Sequence, residues 1–160
     1  MAENCLSRIK IKLSEDNKIE EKKKEPSKPL TKKTLTMKKI KIKAGNVVMK
    51  AELNNSETAK DLWNSLPIQV TGNTWGDEVY TEAIGLEKLK EKNAREVVKK
   101  GEIAYWSEGD GFCIFFGKTP ASKRDEIRAA SPVNVLGKLL GNPEEFKKVK
   151  GGTKILIEKA

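Results

Sequence analysis

From Lys39 to Lys43 the chain alternates lysine and isoleucine, and this period of two constrains its fold more than any other feature. Ile40 and Ile42 fall on one side and Lys39, Lys41 and Lys43 on the other. That is the pattern of a strand with one face buried. Gly45-Asn46 follows as a two-residue hairpin signal in front of a second strand, Val47–Leu53. The chain therefore opens its folded part on an antiparallel hairpin that needs a sheet or barrel to cover its apolar side.

Further strand signals recur at short intervals. Ile68–Val70 reads as a strand with Thr71-Gly72-Asn73 as a turn, and Glu78–Ile84 as a second clear strand. Glu102–Trp106 and Phe112–Phe116 are joined by the Gly- and acid-rich turn Ser107–Gly111. Asn134–Leu140 and Lys154–Glu158 complete the set. One helix interrupts, capped by Ser56, with Ala59, Leu62, Trp63 and Leu66 at helical spacing before Pro67. A second short helix has Asn142 as cap, Pro143 at its first position and Glu144 and Glu145 in its first turn. Residues 85–101 are Lys/Glu-rich and fit either a helix or a long surface loop. Many short strands with two short helices predict a mainly β fold, a closed antiparallel barrel.

The first 36 residues differ in kind. They hold ten basic and six acidic side chains and no aromatic residue. Such a segment buries too little apolar surface to offset the entropy of ordering, so it reads as a disordered basic extension. Arg8–Leu13 echoes the Lys39–Lys43 alternation but is too short for a repeat. Met37-Lys38-Lys39-Ile40 resembles a natural start of the folded domain, which makes Met37 an alternative initiator. The predicted organisation is an extension over 1–36 and one domain over 37–160.

Composition excludes several chemistries. The formal charge is +9, and the chain has no histidine and two cysteines, Cys5 and Cys113. A Ser-His-Asp or Cys-His pair is ruled out, as is a Cys₄ or Cys₃His zinc site. No metal ligand set and no cofactor is expected. No apolar run reaches the roughly 18 residues of a membrane span, and the N-terminus lacks the apolar centre of a signal peptide, so a cytoplasmic protein is expected. Abundant Lys and Glu beside the single Gln69 resemble thermophilic composition. The basic tail admits nucleic acid as a partner through counterion release, but it lacks the aromatic platforms of a single-strand binder.

Gly76-Asp77-Glu78-Val79-Tyr80, Gly101–Trp106 leading into Phe112–Ser122, and Ala130–Gly137 occur in that order. Together they resemble the small prokaryotic cyclophilin-like family over residues 37–160. The resemblance implies the barrel of peptidyl-prolyl isomerases in minimal form. Isomerases of this fold use an arginine, a glutamine beside a Phe-Phe pair, and a tryptophan and histidine at the proline pocket, to favour the twisted amide over the planar one. Here Glu78–Ile84 contains no arginine, Gly111 stands where the glutamine would fall, and histidine is absent. The barrel is expected to persist without efficient isomerase catalysis.

An aromatic-lined cleft is the expected site. Glu78 and Tyr80 share a strand face, Trp106 ends a strand beside a glycine-rich turn, and Phe112 and Phe115 lie on the next strand. These five are the candidate ligand-binding residues, for a peptide segment or small molecule. A working isomerase with other donors and an RNA or ribonucleoprotein accessory are the alternatives. Strand alternation sets Phe112, Ile114 and Phe116 opposite Cys113 and Phe115, so one of the two sets must be core. The remaining acids (Asp77, Glu82, Glu108, Asp110) read with Glu78 as solvated faces, and Cys113 as an inert buried thiol.

Overall fold

The computed structural model describes residues 37–160; the expectations for the basic extension and for Arg8–Leu13 lie outside these residues. Strands β1 (Lys39–Ala44) and β2 (Val47–Leu53) pair from Lys39↔Glu52 to Ala44↔Val47, forming the hairpin that the alternation predicts. Ile40, Ile42 and Ala51 are fully buried, whereas Val48 on the other face is exposed. Helix α1 (Glu57–Ser65) begins at Ser56, whose Oγ accepts from the Ala59 N–H at 3.2 Å, and buries Thr58, Ala59 and Leu62. Trp63 lies at its edge, with Lys38 Nζ 5.8 Å and Lys159 Nζ 4.8 Å from the ring centroid.

The other elements are β3 (Ile68–Thr74), β4 (Glu78–Thr81), β5 (Arg95–Val98), β6 (Glu102–Trp106) and β7 (Gly111–Phe115). A long β8 (Ile127–Leu139), a 3-10 helix (Pro143–Lys148) and β9 (Thr153–Lys159) complete the chain. All strand pairings are antiparallel. The order β2-β1-β9-β3-β4-β7-β6-β8 returns to β2 through Gly137↔Leu53, so eight strands close in a ring, and β5 joins the first half of β8. Closure leaves those eight strands without a free edge.

Two apolar clusters follow from the pleat. Ile42, Val79, Ile103, Phe112, Ile114 and Leu136 belong to the larger one, the core on the inner face of the ring. Residues of opposite parity on the same strands, Ala104, Cys113 and Phe115, join Val98, Ala129 and Val133 in a second cluster. β8 makes this possible because its first half pairs with β5 and its second half with β6 and β2.

The structure departs from the sequence reading at several points. Thr71-Gly72-Asn73 is strand rather than turn: Gly72 pairs with both Thr81 and Thr153. Its glycine is a packing requirement, since a Cβ there would lie 2.3 Å from Ile155 Cδ1. β4 stops at Thr81, short of Ile84. β8 begins seven residues before Asn134. The ambiguous residues 85–101 form neither a helix nor a free loop. They make an irregular segment held from below, followed by β5.

Three polar side chains hold that segment. The Asp110 carboxylate accepts from the N–H groups of Gly85, Leu86 and Glu87 at 2.7, 3.1 and 2.9 Å, and from the Tyr105 hydroxyl. Tyr105 in turn accepts from the Lys88 N–H at 3.0 Å; burial and the bond to Asp110 push its phenol up to about 12. Asn134 accepts from the Glu91 N–H at 2.8 Å and donates to Leu89 O at 3.0 Å and Thr58 Oγ1 at 3.1 Å. Asn134 is buried, so its loss strands several partners. Asn134→Ala is expected to lower stability by about 2 kcal/mol and to raise amide exchange at Glu91, as read by chemical denaturation and hydrogen exchange.

Candidate functional site

A cavity of about 190 Å³ opens over the second cluster, lined by Trp75, Glu78, Tyr80, Trp106, Cys113, Ala129, Ala130 and Val133. Its walls derive from four neighbouring strands. Tyr80, Cys113, Ala104 and Val135 stand in one cross-strand row, since Tyr80↔Cys113, Cys113↔Ala104 and Ala104↔Val135 are paired. Small side chains in the middle of that row leave a floor below the larger aromatic groups at its rim. Glu78 lies one strand step away, opposite Phe115.

Two of the aromatic walls are positioned by contacts around them. Trp75 is set by the turn between β3 and β4, where its N–H donates to Glu78 O at 2.9 Å and the Asp77 N–H donates to Lys118 O at 2.8 Å. Trp106 Nε1 donates to Ser131 Oγ at 2.6 Å, tying the end of β6 to β8. The indole also lies over Gly109, where a Cβ would sit 2.4 Å from Cζ3, so the turn needs glycine at that point. The glycine-rich turn therefore serves as a bed for the ring.

Among the described residues, Glu78 is the one acidic side chain of the cavity, and it is 5% exposed. Burial raises its pKa to about 7, against the opposing effect of the Cys113 thiol, which donates to it. At neutral pH the carboxyl is thus divided between its neutral and charged forms. Burial and the neighbouring Glu78 push the Cys113 thiol well above its ordinary range, which keeps it protonated and poorly nucleophilic.

Of the five residues expected at the site, Glu78, Tyr80 and Trp106 line the cavity, and Phe112 and Phe115 do not. Phe112 points to the inner face and belongs to the main core. Phe115 shares the cavity's side of β7 but is fully buried within the second cluster. The placement of Glu78 corrects the solvated-face reading of the acids, because its strand face is covered by β8. Asp110 departs from that reading too, being committed to the 85–88 segment, while Glu82 and Glu108 are exposed. Trp75, the third aromatic wall, was not among the five expected residues. Ala129, Ala130 and Val133 were not expected at the site, since the length of β8 brings them there.

Among the described residues, no helix is long and apolar enough to cross a membrane. The cyclophilin-like family model matches residues 38–158. A solved structure, the solution structure of the hypothetical protein AF2241 from Archaeoglobus fulgidus, is 36% identical with a TM-score of 0.67, covering 78% of this chain and 95% of that one. No curated protein matches the chain. With the closed antiparallel ring, a family match over three quarters of the sequence and a relative of this identity, the chain belongs to the cyclophilin-like family.

Proposed function

We propose that the protein binds one small molecule, or a single side chain of a peptide, in the cavity of Trp75, Glu78, Tyr80 and Trp106, without efficient prolyl isomerase activity. The observation that carries this reading is a cavity with three aromatic walls and one buried carboxyl. Concave apolar sites with a few convergent polar groups are the usual form of small-ligand sites. A volume of about 190 Å³ suits one ring or one branched head group rather than an extended peptide.

What supports weak or absent catalysis is that the Trp106 donor and the nearby arginines are engaged elsewhere. Trp106 Nε1 is bonded to Ser131, Arg95 is paired with Glu102, and Arg128 with Glu96 and Glu126. Among the described residues, no arginine lines the cavity. Stabilising a twisted amide requires donors aimed at it before the reaction begins.

Fluorescence titration with a library of small fragments and proline-containing peptides tests the reading. Hits should bind the wild type and Trp63→Phe alike and weaken at least about tenfold in Trp106→Ala. Hits that bind Trp106→Ala undiminished, or the absence of any hit, would overturn it. Proline-isomer exchange in a model peptide should stay at the background rate at high protein concentration.

A further inference from the structure

The charge of the bound group can be read from the same cavity; this step rests on the binding reading above. Three aromatic side chains, Trp75, Tyr80 and Trp106, line it, and the acid among its described lining residues is Glu78. None of its lining residues is Lys or Arg. Aromatic faces carry negative potential and attract cations, tryptophan most strongly. Glu78 is buried, and among the described residues the partner that steadies its charged form is the neutral Cys113 thiol. The described lining therefore brings three aromatic rings and one carboxyl together with no cation among them.

The kind of cation follows from hydrogen bonding. A primary ammonium brings three N–H donors, each costly to bury without an acceptor. Among the described lining side chains the acceptor oxygens are the Glu78 carboxylate and the Tyr80 hydroxyl, both on β4, so they meet an ammonium from one side alone. A methylated ammonium brings methyl groups that pack on rings and no donors to leave unmet. We infer that the cavity takes a methylated organic ammonium group, set against the rings of Trp75, Tyr80 and Trp106 and the carboxylate of Glu78.

Cation entry favours the charged carboxylate, so binding should release a proton from Glu78, and affinity should rise with pH through neutrality. The titratable groups facing Glu78 in the cavity are Tyr80 on β4 and Cys113 on β7; the lining residues of β6 and β8 carry none. Cys113 is held protonated by burial and by Glu78 itself.

The test uses the full chain, with choline and its uncharged isostere 3,3-dimethyl-1-butanol as probes. Ligand-observed NMR should give choline an affinity about tenfold tighter at pH 8, a preference that Glu78→Gln abolishes. By reciprocity, saturating choline should lower the Glu78 midpoint, read from its carboxyl ¹³C shift, by about one unit, and the isostere should not. A trimethyllysine peptide beside its unmethylated twin distinguishes a side-chain source from a free amine: tighter binding than choline points to the former, weaker to the latter. Equal binding of choline and the isostere, with the Glu78 midpoint unmoved, would overturn the charge inference and leave the binding reading standing. So would failure of both probes while library fragments bind. If neither probes nor fragments bind, both readings fall.

Discussion

Glu78→Gln is expected to abolish a loss of stability that the wild type suffers between about pH 4.5 and 7. In the unfolded chain the Glu78 carboxyl ionises near its ordinary value of 4.5, whereas in the folded protein burial raises its pKa to about 7. Between these values the folded state holds a proton that the unfolded state has released. Stability contributed by this group is therefore present at low pH, falls as pH rises, and is fully lost above 7. A separation of this size corresponds to about 3 kcal/mol. Glutamine keeps the shape and has an oxygen to accept from the Cys113 thiol, but it cannot ionise. The stability difference between variant and wild type, measured by urea unfolding at pH 4 and pH 8, should move by about 3 kcal/mol in favour of the variant at the higher pH. Acids with lowered values, Glu126 beside Arg128 and Glu144 beside Lys100, act in the opposite direction in both proteins and cancel from the comparison. A difference constant across pH would contradict the burial of Glu78.

Gly137→Ala should have the largest effect on the fold itself. Gly137 pairs with Leu53 on one side and Ile103 on the other, where β8 closes the ring, and the register with β6 shifts between Val135 and Gly137. A Cβ at this position would lie 1.8 Å from Glu52 O and 2.8 Å from its carbonyl carbon. Both are backbone atoms in a paired strand, so no side chain can swing aside to make room. The seam must open, putting at risk the adjacent bonds from Asn54 N–H to Leu136 O and from Asn54 Nδ2 to Val135 O, each 2.7 Å. A loss of about 3 kcal/mol is expected, with raised amide exchange at Asn54. Gly151→Ala is the control, since a Cβ there meets only Asn73 Oδ1 at 3.5 Å and should change little. Equal stabilities for the two variants would mean that the ring does not close at Gly137.

The parts of the fold that were legible in the sequence are those whose pattern is local. The Lys/Ile alternation specified the β1–β2 hairpin, and Ser56 with its spaced apolar residues specified α1. Alternation also separated Phe112 and Ile114 from Cys113 and Phe115, but both sets are apolar, so the pattern did not say which faces inward. That is why Phe112 was expected at the cleft and lies in the core. Thr71-Gly72-Asn73 has turn chemistry, yet Gly72 answers to Ile155, more than eighty positions away. The segment after Glu82 has little period of its own because its shape is imposed by Asp110, Tyr105 and Asn134. Glu78 looked like its acidic neighbours, since its burial depends on β8 lying over that face. Only the part of the site carried by β4 and the end of β6 could be read locally, and the rest arrives through strand pairing.

The three tryptophans offer the most direct test of the central claim, that ligands enter the outer cavity. Trp75 and Trp106 line it, and Trp63 lies on α1 between Lys38 and Lys159. Each indole N–H gives its own signal in a proton–nitrogen correlation spectrum. On titration with any fragment that binds, the Trp75 and Trp106 signals should move together along one saturable curve while Trp63 stays fixed. Movement of Trp63 alone, or of all three in proportion, would contradict the assignment of the site.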